Sequence, residues 1–200
     1  MSIEADRIAS LYDRHASVWD SVRSRDLFER DWLERFRALL PPAGSVLDIG
    51  CGSGEPIARF FIEAGHRLTG VDSSPAMIAM CQERFPNAAW TVADMRTLSL
   101  GECFDGILAW DSFFHLRHDD QRRMFPLFGA HANAHAALMF TSGPGHGEAV
   151  GTFEGESLYH ASLSPAEYRT LLAENGFEVV AFEVEDAACG GHTIWLARHK

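Results

Sequence analysis

The chain has 200 residues, of which 46% are hydrophobic, and its 17 basic and 28 acidic side chains give a formal net charge of -11. This length supports one sizeable core and is too short for two ordinary enzyme domains, so we expect a single domain over residues 1–200. No basic run appears, and the net charge opposes binding to phosphate backbones or anionic membranes. The composition therefore favours a small-molecule partner over nucleic acid or a membrane.

The N-terminal sequence and the cysteines predict a cytoplasmic protein. Residues 1–6 lack the basic region and apolar stretch of a secretion signal, and no apolar run reaches the roughly 18 residues of a membrane span. The four cysteines show no C-x-x-C spacing, so we expect free thiols. His115 and His118 have a spacing that two metal ligands can have, but no third ligand accompanies them, so we expect no metal site.

The first 44 residues predict a helical cap ahead of the core. Residues 4–40 have helical spacing, and their apolar stripe consists of Trp32, Leu33, Phe36, Leu39 and Leu40. The segment 41–44, with two prolines and a glycine, then separates this cap from a core over residues 45–200.

Strand-like and helix-like segments alternate after residue 44, which is typical of parallel α/β units. Five short apolar or β-branched runs predict buried parallel strands at 45–49, 67–71, 89–92, 104–110 and 136–141. Ser74 followed by Pro75 predicts the start of one helix. Ser164 and Glu167 predict a capping box at the start of another, which should end at Gly176.

The C-terminal segment predicts a reversed strand. Two strand-like runs, 177–184 and 192–197, leave too little chain between them for a crossover helix, so they should pair antiparallel. The fold class is therefore α/β, with a mostly parallel sheet, one antiparallel C-terminal strand and helices on both faces. Residues 142–163 form a long connection without a helical pattern, and we expect a loop there on the substrate side of the sheet.

A glycine loop after the first predicted strand is the most informative motif. Gly50, Gly52 and Gly54 alternate there, and such a loop lets the backbone approach a bulky ligand closely. Glycine loops also serve phosphates and dinucleotides, so later strand ends must decide the ligand. Asp72 and Asp94 follow the second and third strands, and their successive placement predicts a nucleotide-type cofactor site.

These motifs resemble those of the class I S-adenosylmethionine-dependent methyltransferases over residues 45–197. The segments 48–54, 70–72, 92–95 and 104–111 are similar to the first four motifs of that family. The resemblance implies a Rossmann-like sheet of seven strands, with S-adenosylmethionine across the carboxyl ends of the first strands. The family often has a Pro-Gly-Gly turn before its fifth strand, which residues 132–136 replace here, so the strand boundary is less well defined.

The resemblance implies a role for the acidic strand ends. Asp72 would take the two ribose hydroxyls, a task that suits a carboxylate because it accepts two hydrogen bonds at once. Asp94 would receive the adenine amino group, while Met95 covers the ring.

The resemblance also implies contacts for the methionine part of the cofactor. Backbone carbonyls near Gly50 and Trp110 would take its ammonium group, with Asp48 shaping the glycine loop. Candidates for a lid over the cofactor carboxylate are Tyr12, Trp19 and Arg23. The complete predicted cofactor site comprises Asp48, Gly50, Cys51, Gly52, Gly54, Asp72, Ser73, Met77, Asp94, Met95, Trp110, Tyr12, Trp19 and Arg23.

Methyl transfer from a sulfonium requires alignment and exclusion of water, and it needs no covalent enzyme intermediate. If the acceptor is a hydroxyl or a protonated amine, a base must remove its proton, and histidine suits that task. The candidate bases are His115 and His160, with Asp111 as an orienting or acceptor-binding group. His115 can equally be a core histidine.

The leading hypothesis is a methyltransferase acting on a small molecule at an O, N, S or C atom. A nicotinamide-dependent oxidoreductase is the alternative enzyme, but the loop lacks G-x-G-x-x-G spacing and no Tyr-Lys pair is visible. A non-catalytic cofactor-binding protein is the alternative outside catalysis, because cofactor motifs do not prove turnover. These motifs do not define the oligomeric state.

Overall fold

Helices and strands alternate along the chain in the computed structural model, which describes residues 3–200. The helices are α1 (Ile3–Arg14), α2 (Ala16–Val22), α3 (Arg30–Arg37), α4 (Ile57–Glu63), α5 (Pro75–Arg84), α6 (His118–Ala130) and α7 (Pro165–Glu174). The strands are β1 (Ser45–Ile49), β2 (Arg67–Asp72), β3 (Ala89–Val92), β4 (Phe104–Ala109), β5 (Ala132–Ser142), β6 (Gly147–Phe153), β7 (Glu156–Ser162), β8 (Phe177–Asp186) and β9 (His192–His199). Short 3-10 helices lie at Met95–Thr97, Phe113–His115 and Ala187–Cys189.

Seven strands form one sheet in the order β3-β2-β1-β4-β5-β9-β8. All neighbours are parallel except β9, which runs antiparallel to both β5 and β8. The predicted fold class, with its single reversed strand, is confirmed. The chain moves outward in opposite directions from β1, so the connections after β1 and β4 diverge and leave a crevice at the carboxyl ends of these strands.

The fifth strand is longer and less regular than the sequence predicted. It begins at Ala132 rather than at residue 136, and only His131 separates it from α6. Its register against β4 shifts between the pairs Phe104–Ala132 and Gly106–Ala137, and His135 has a positive φ of 66°. A β-bulge therefore stands where the family often has a Pro-Gly-Gly turn.

The segment 142–163 is not the irregular loop that we expected. Strands β6 and β7 pair antiparallel there and form a separate two-stranded sheet. Phe153 pairs with Glu156, so the turn consists of Glu154 and Gly155, whose φ values are 50° and 78°. Two left-handed residues are what a tight two-residue hairpin of type I′ requires.

The two predicted helix caps form, although one of them lacks its reciprocal bond. Ser74 Oγ accepts a hydrogen bond from the Met77 amide at 3.2 Å, and Ser164 Oγ accepts one from the Glu167 amide at 3.2 Å. The Glu167 carboxylate instead accepts from Arg122 Nε at 2.7 Å, so the predicted capping box is only half present.

Helices cover both faces of the sheet, and each face has its own apolar cluster. On one face, Phe113, Phe140 and Trp195 pack with residues of α6 and α7. On the other face, α3 buries Trp32, Leu33 and Phe36 of the predicted apolar stripe, whereas Leu39 and Leu40 follow the helix and are partly buried. Phe36 packs so closely on β4 that a Cβ at Gly106 would lie 2.6 Å from its ring. Between residues 3 and 200, none of the helices is long and apolar enough to span a bilayer.

Candidate cofactor and acceptor site

A cavity lies over the carboxyl ends of β1, β2 and β4, beneath α1 and α2. Its wall contains most of the predicted cofactor site, namely Asp48, Gly50, Cys51, Gly52, Asp72, Ser73, Asp94, Met95, Trp110, Tyr12, Trp19 and Arg23. Gly54 and Met77 were also predicted, but they are not part of this wall. A Cβ at Gly54 would point at the Phe85 ring, 3.0 Å away, and Met77 is packed inside the protein with 1% of its surface exposed.

The glycine loop presents bare backbone to the cavity. Gly50 has a φ of 76°, and a Cβ there would lie 2.2 Å from Cβ of Ser112. Ser112 Oγ in turn donates to the Ile49 carbonyl at 2.6 Å, which attaches the loop to the end of β4. A Cβ at Gly52 would meet only Trp19 Nε1, at 3.8 Å, so any side chain there would project into the cavity. The loop therefore leaves room for a ligand against its amides.

Asp72 joins the glycine loop to the start of α5. Its two carboxylate oxygens each accept one backbone amide, from Gly52 at 2.9 Å and from Ser74 at 2.9 Å. Burial raises the pKa of Asp72, and the backbone hydrogen bonds oppose this effect. Because each carboxylate oxygen can accept a second hydrogen bond, Asp72 can still bind two ligand hydroxyls.

Asp48 is a buried acid behind the same loop, with 3% of its surface exposed. Burial, together with the negative charge of Asp72, raises the pKa of Asp48 to about 7. A cationic ligand group near this carboxyl would lower its pKa again.

Asp94 lies at the end of β3 and is already paired. Its carboxylate accepts from the Arg96 amide at 2.9 Å and from the Arg96 guanidinium at 2.6 Å. The hydrogen bonds from Arg96 hold the pKa of Asp94 below its usual value. Arg96, which the sequence analysis did not single out, also lines the cavity, so any adenine contact of Asp94 would be shared with it.

Residues 46–132 match the family described as "methyltransferase domain". A dTDP-4-amino-2,3,4,6-tetradeoxy-D-glucose N,N-dimethyltransferase of Saccharopolyspora spinosa is 33% identical over 119 residues, covering 55% of this chain and 47% of the relative. A trans-aconitate 2-methyltransferase of Escherichia coli is 35% identical over 94 residues, covering 46% of this chain and 36% of the relative. The chain thus spans less than half the length of these curated relatives.

Two solved structures share the architecture over almost the whole chain. CalS10, an amino pentose methyltransferase from Micromonospora echinaspora with bound S-adenosylmethionine, has a TM-score of 0.74 at 20% identity, covering 94% of this chain and 96% of that one. A Burkholderia thailandensis 1,6-didemethyltoxoflavin-N1-methyltransferase has a TM-score of 0.74 at 19% identity, covering 100% and 92%. Residues 46–132 are therefore similar to a methyltransferase domain, and the chain has the fold of these solved structures. The resemblance predicted from its motifs is confirmed.

Hydrogen bonds and ion pairs attach the first two helices to the core around the cavity. Asp13 accepts from Ser74 Oγ at 2.7 Å and from the Ala76 amide at 3.0 Å. Asp20 pairs with Arg84 at 2.6 Å. On the opposite side, Glu156 of β7 accepts from Arg14 and His15 at 2.5 and 2.8 Å.

The predicted lid residues lie on the underside of this cover. The rings of Tyr12 and Trp19 contact each other edge to face, with centroids 5.3 Å apart, and both pack on Phe153 of the hairpin. Arg23 lines the cavity, but its guanidinium is ion-paired with the buried carboxylate of Glu29 and lies over the Phe28 ring. Any contact of Arg23 with a cofactor carboxylate would therefore use its remaining donors.

His115, a predicted base, is held between two partners. Its Nδ1 lies 2.8 Å from the Tyr159 carbonyl and its Nε2 lies 3.0 Å from the Tyr12 hydroxyl. Because a carbonyl only accepts, Nδ1 carries the proton, and Nε2 accepts from Tyr12. Burial lowers the pKa of His115 to about 4, so the ring is neutral at physiological pH. The Nε2 lone pair of His115 is therefore engaged by the Tyr12 hydroxyl.

Asp111 and His160 are brought near each other, but they line different cavities. Asp111 lies in the wall of the cofactor cavity, whereas His160 lines a second, adjoining cavity. The His160 ring lies 4.8 Å from the His115 ring, centroid to centroid. Asp111 has a positive φ of 49°, and its amide donates to Thr141 Oγ1 at 2.9 Å. This unusual backbone aims the Asp111 side chain across the end of β5.

His192 is a site residue that the sequence analysis missed. Its Nε2 lies 2.9 Å from Asp111 Oδ1 and its Nδ1 lies 2.6 Å from the Cys189 carbonyl. Both partners accept hydrogen bonds, so the protonated ring suits this position. Burial opposes the charge, but the hydrogen bond and the negative charge of Asp111 raise the pKa of His192 overall. The predicted antiparallel direction of the last strand could have indicated this residue. Because β9 runs antiparallel to β5, its first residue, His192, lies at the edge of the sheet where the parallel strands end.

His115 and His118, whose spacing two metal ligands can have, make separate hydrogen bonds in the structure. His118 Nε2 lies 3.2 Å from the Gly147 carbonyl and 3.1 Å from the Ser162 carbonyl, so it ties α6 to the hairpin. Among residues 3–200, no three His, Cys, Asp or Glu side chains are grouped as metal ligands.

Proposed function

We propose that this protein transfers a methyl group from S-adenosylmethionine to a small-molecule acceptor. The observation that carries this proposal is Asp72, which links the glycine loop to the start of α5 at the floor of the covered cavity. The methyltransferase domain of residues 46–132 supports the same activity. CalS10, with a similar fold, is described with S-adenosylmethionine bound.

The residues of the cavity fit this cofactor. Asp72 can accept from ribose hydroxyls, and the open space over Gly52 allows a ligand to reach the loop amides. Asp48 offers a buried carboxyl to a cationic ammonium group, and Met95 supplies an apolar surface for a ring. When bound, S-adenosylmethionine supplies an electrophilic methyl group on a positively charged sulfur.

The protein itself contributes positioning and the exclusion of water. Helices α1 and α2 cover the cavity, and the rings of Tyr12 and Trp19 close it from above. Asp111 and Tyr12 present polar groups to the interior. His115 holds the Tyr12 hydroxyl in place, which leaves His160 as the candidate base for a proton from the acceptor.

The cellular setting is part of the proposal. The cysteines of residues 3–200 are all free thiols, which supports a cytoplasmic location. The net charge of -11 supports a small-molecule acceptor over nucleic acid.

Calorimetric titration with S-adenosylhomocysteine tests the cofactor site. Asp72→Ala should weaken binding by roughly tenfold to a thousandfold, because it removes hydrogen bonds to a charged acceptor. Asp119→Asn removes one negative charge from an aspartate that is 78% exposed and should bind like wild type. Absence of S-adenosylhomocysteine binding to the wild-type protein would refute the proposal. If NADH binds instead, as detected by fluorescence quenching, the oxidoreductase would be favoured. Tight binding without methyl release to any acceptor would favour the non-catalytic protein.

A further inference from the structure

A second cavity adjoins the cofactor cavity on the hairpin side. It lies between the 143–145 turn, β6 and β7, and its wall includes Phe114, Ser142, Glu148, His160 and Ser162. The His160 ring packs on Phe114, with centroids 5.1 Å apart, and faces the His115 ring of the cofactor cavity at 4.8 Å. A molecule in the second cavity would thus reach the cofactor cavity at this group of rings.

The second cavity is poor in positive charge. Its described wall contains neither lysine nor arginine, and its ionisable members are Glu148 and His160. The arginines of the cofactor cavity are already paired with carboxylates: Arg23 with Glu29, Arg96 with Asp94 and Arg117 with Asp6. A carboxylate acceptor would find only arginines whose charge a carboxylate already offsets, so the loss of its hydration would be poorly compensated.

Asp111 offers one carboxylate oxygen at the junction. His192 Nε2 and Thr141 Oγ1 lie 2.9 and 3.4 Å from its Oδ1, so both neighbours use the same oxygen. The Asp111 side chain is 23% exposed and lines the cofactor cavity, which leaves Oδ2 to a ligand. His192 and Thr141 thereby fix the direction in which Oδ2 points.

His160, on the second-cavity side of the junction, is suited to take a proton. Its ring lies 4.8 Å from the His115 ring, centroid to centroid, and a neutral imidazole has one nitrogen lone pair that can accept a proton. Burial lowers the pKa of His160, so the ring is neutral at physiological pH even though the charge of Asp111 opposes this effect.

We propose that the acceptor is an amine, which enters as an ammonium ion and donates a hydrogen bond to Asp111 Oδ2. This inference rests on the proposed methyl transfer and names its substrate class. The ammonium gives one proton to His160, and the freed nitrogen lone pair forms a bond to the methyl carbon. The bond from that carbon to sulfur breaks, and its electron pair stays on sulfur as a neutral thioether. The positive charge passes to the methylated nitrogen, which can release a further proton to solvent.

Calorimetry on the protein saturated with S-adenosylhomocysteine tests this inference. The probes share one carbon skeleton: cyclohexylmethylamine, cyclohexylmethanol and cyclohexanecarboxylate. We expect the amine to bind at least tenfold more tightly than the alcohol, and the carboxylate to bind most weakly. An amine that binds no more tightly than the carboxylate, including the case in which no probe binds, overturns the inference.

Variants separate the carboxylate from the general charge of the protein. Asp111→Asn should lose at least tenfold of the preference for the amine while its affinity for S-adenosylhomocysteine stays within threefold of wild type. Glu148→Gln, at a half-exposed position of the second cavity, should lose a smaller part of the preference. Asp119→Asn carries the same charge change and should keep all of it. If the preference for the amine survives in both Asp111→Asn and Glu148→Gln, the inference is overturned. If S-adenosylhomocysteine does not bind the wild-type protein, the proposed function itself is wrong.

Discussion

Replacing Asp48 by asparagine should change how the stability of the protein depends on pH. Burial, reinforced by the charge of Asp72, raises the pKa of Asp48 from 3.8 to about 7. Since one pKa unit corresponds to about 1.4 kcal/mol, ionised Asp48 costs the folded state about 4 kcal/mol. The folded protein binds this proton more tightly than the unfolded chain, so the cost is absent below about pH 4 and complete above about pH 7.

The expected result is a difference between two pH profiles. Between pH 5 and pH 8, the free energy of unfolding of wild type should fall by about 3 kcal/mol relative to that of Asp48→Asn. For a chain of this length, that difference corresponds to roughly 5–10 °C in Tm. Thermal unfolding followed by circular dichroism at half-unit pH steps measures it, with Asp119→Asn as the control for net charge. A constant difference between wild type and Asp48→Asn from pH 5 to pH 8 would refute the reasoning.

Three further variants test other parts of the site. Tyr12→Phe removes the hydrogen bond to His115, and we expect methyl transfer measured by S-adenosylhomocysteine release to fall by roughly tenfold to a hundredfold, with cofactor affinity nearly unchanged. His192→Asn should destabilise the protein more at pH 6 than at pH 9. The raised pKa of His192 stabilises the folded state at low pH, and this contribution is lost as pH rises through the folded pKa. Unfolding in urea at both pH values measures the difference. Glu156→Gln should increase the dissociation rate of S-adenosylhomocysteine in stopped-flow measurements at low salt, because the ion pair with Arg14 and the hydrogen bond with His15 that hold the cover are weakened. Glu154→Gln, in the adjoining turn, should not.

The sheet could be predicted from the sequence because its strands carry a strong local signal. The runs that became β1 to β5 are short, apolar and separated by helix signals, and the last two strands had too little chain between them for a helix. Strand β6 carries no such signal, since none of its residues is buried and its two glycines break any alternation. The hairpin therefore depends on pairing with β7, whose inner residues such as Tyr159 and Ala161 are buried against the core.

The sequence could likewise predict one part of the site and not another. Asp72, Asp94 and Asp111 follow successive parallel strands, and parallel strands end at one edge of a sheet, so local sequence was enough to bring them together. The partner of Asp111 is His192, which lies 81 positions further along the chain (192 minus 111) and reaches the site only because β9 runs backwards. Contacts of this kind depend on long-range packing, which a motif does not encode.

The positive charge of a cationic ligand would offset the negative charges of Asp48 and Asp72. Asp48 is buried and Asp72 is partly buried, and the charge of Asp72 is one cause of the raised pKa of Asp48. Neither carboxyl forms an ion pair within residues 3–200, whereas the arginines around the cavity are paired with other acids. A ligand that brings positive charge lowers the pKa of Asp48 and recovers part of the cost of its ionisation, so affinity should rise about tenfold between pH 6 and pH 8. In Asp48→Asn this pH dependence should disappear, and S-adenosylhomocysteine titrations at both pH values measure it. If wild type and Asp48→Asn show the same pH dependence of affinity, Asp48 does not face the cationic part of the cofactor.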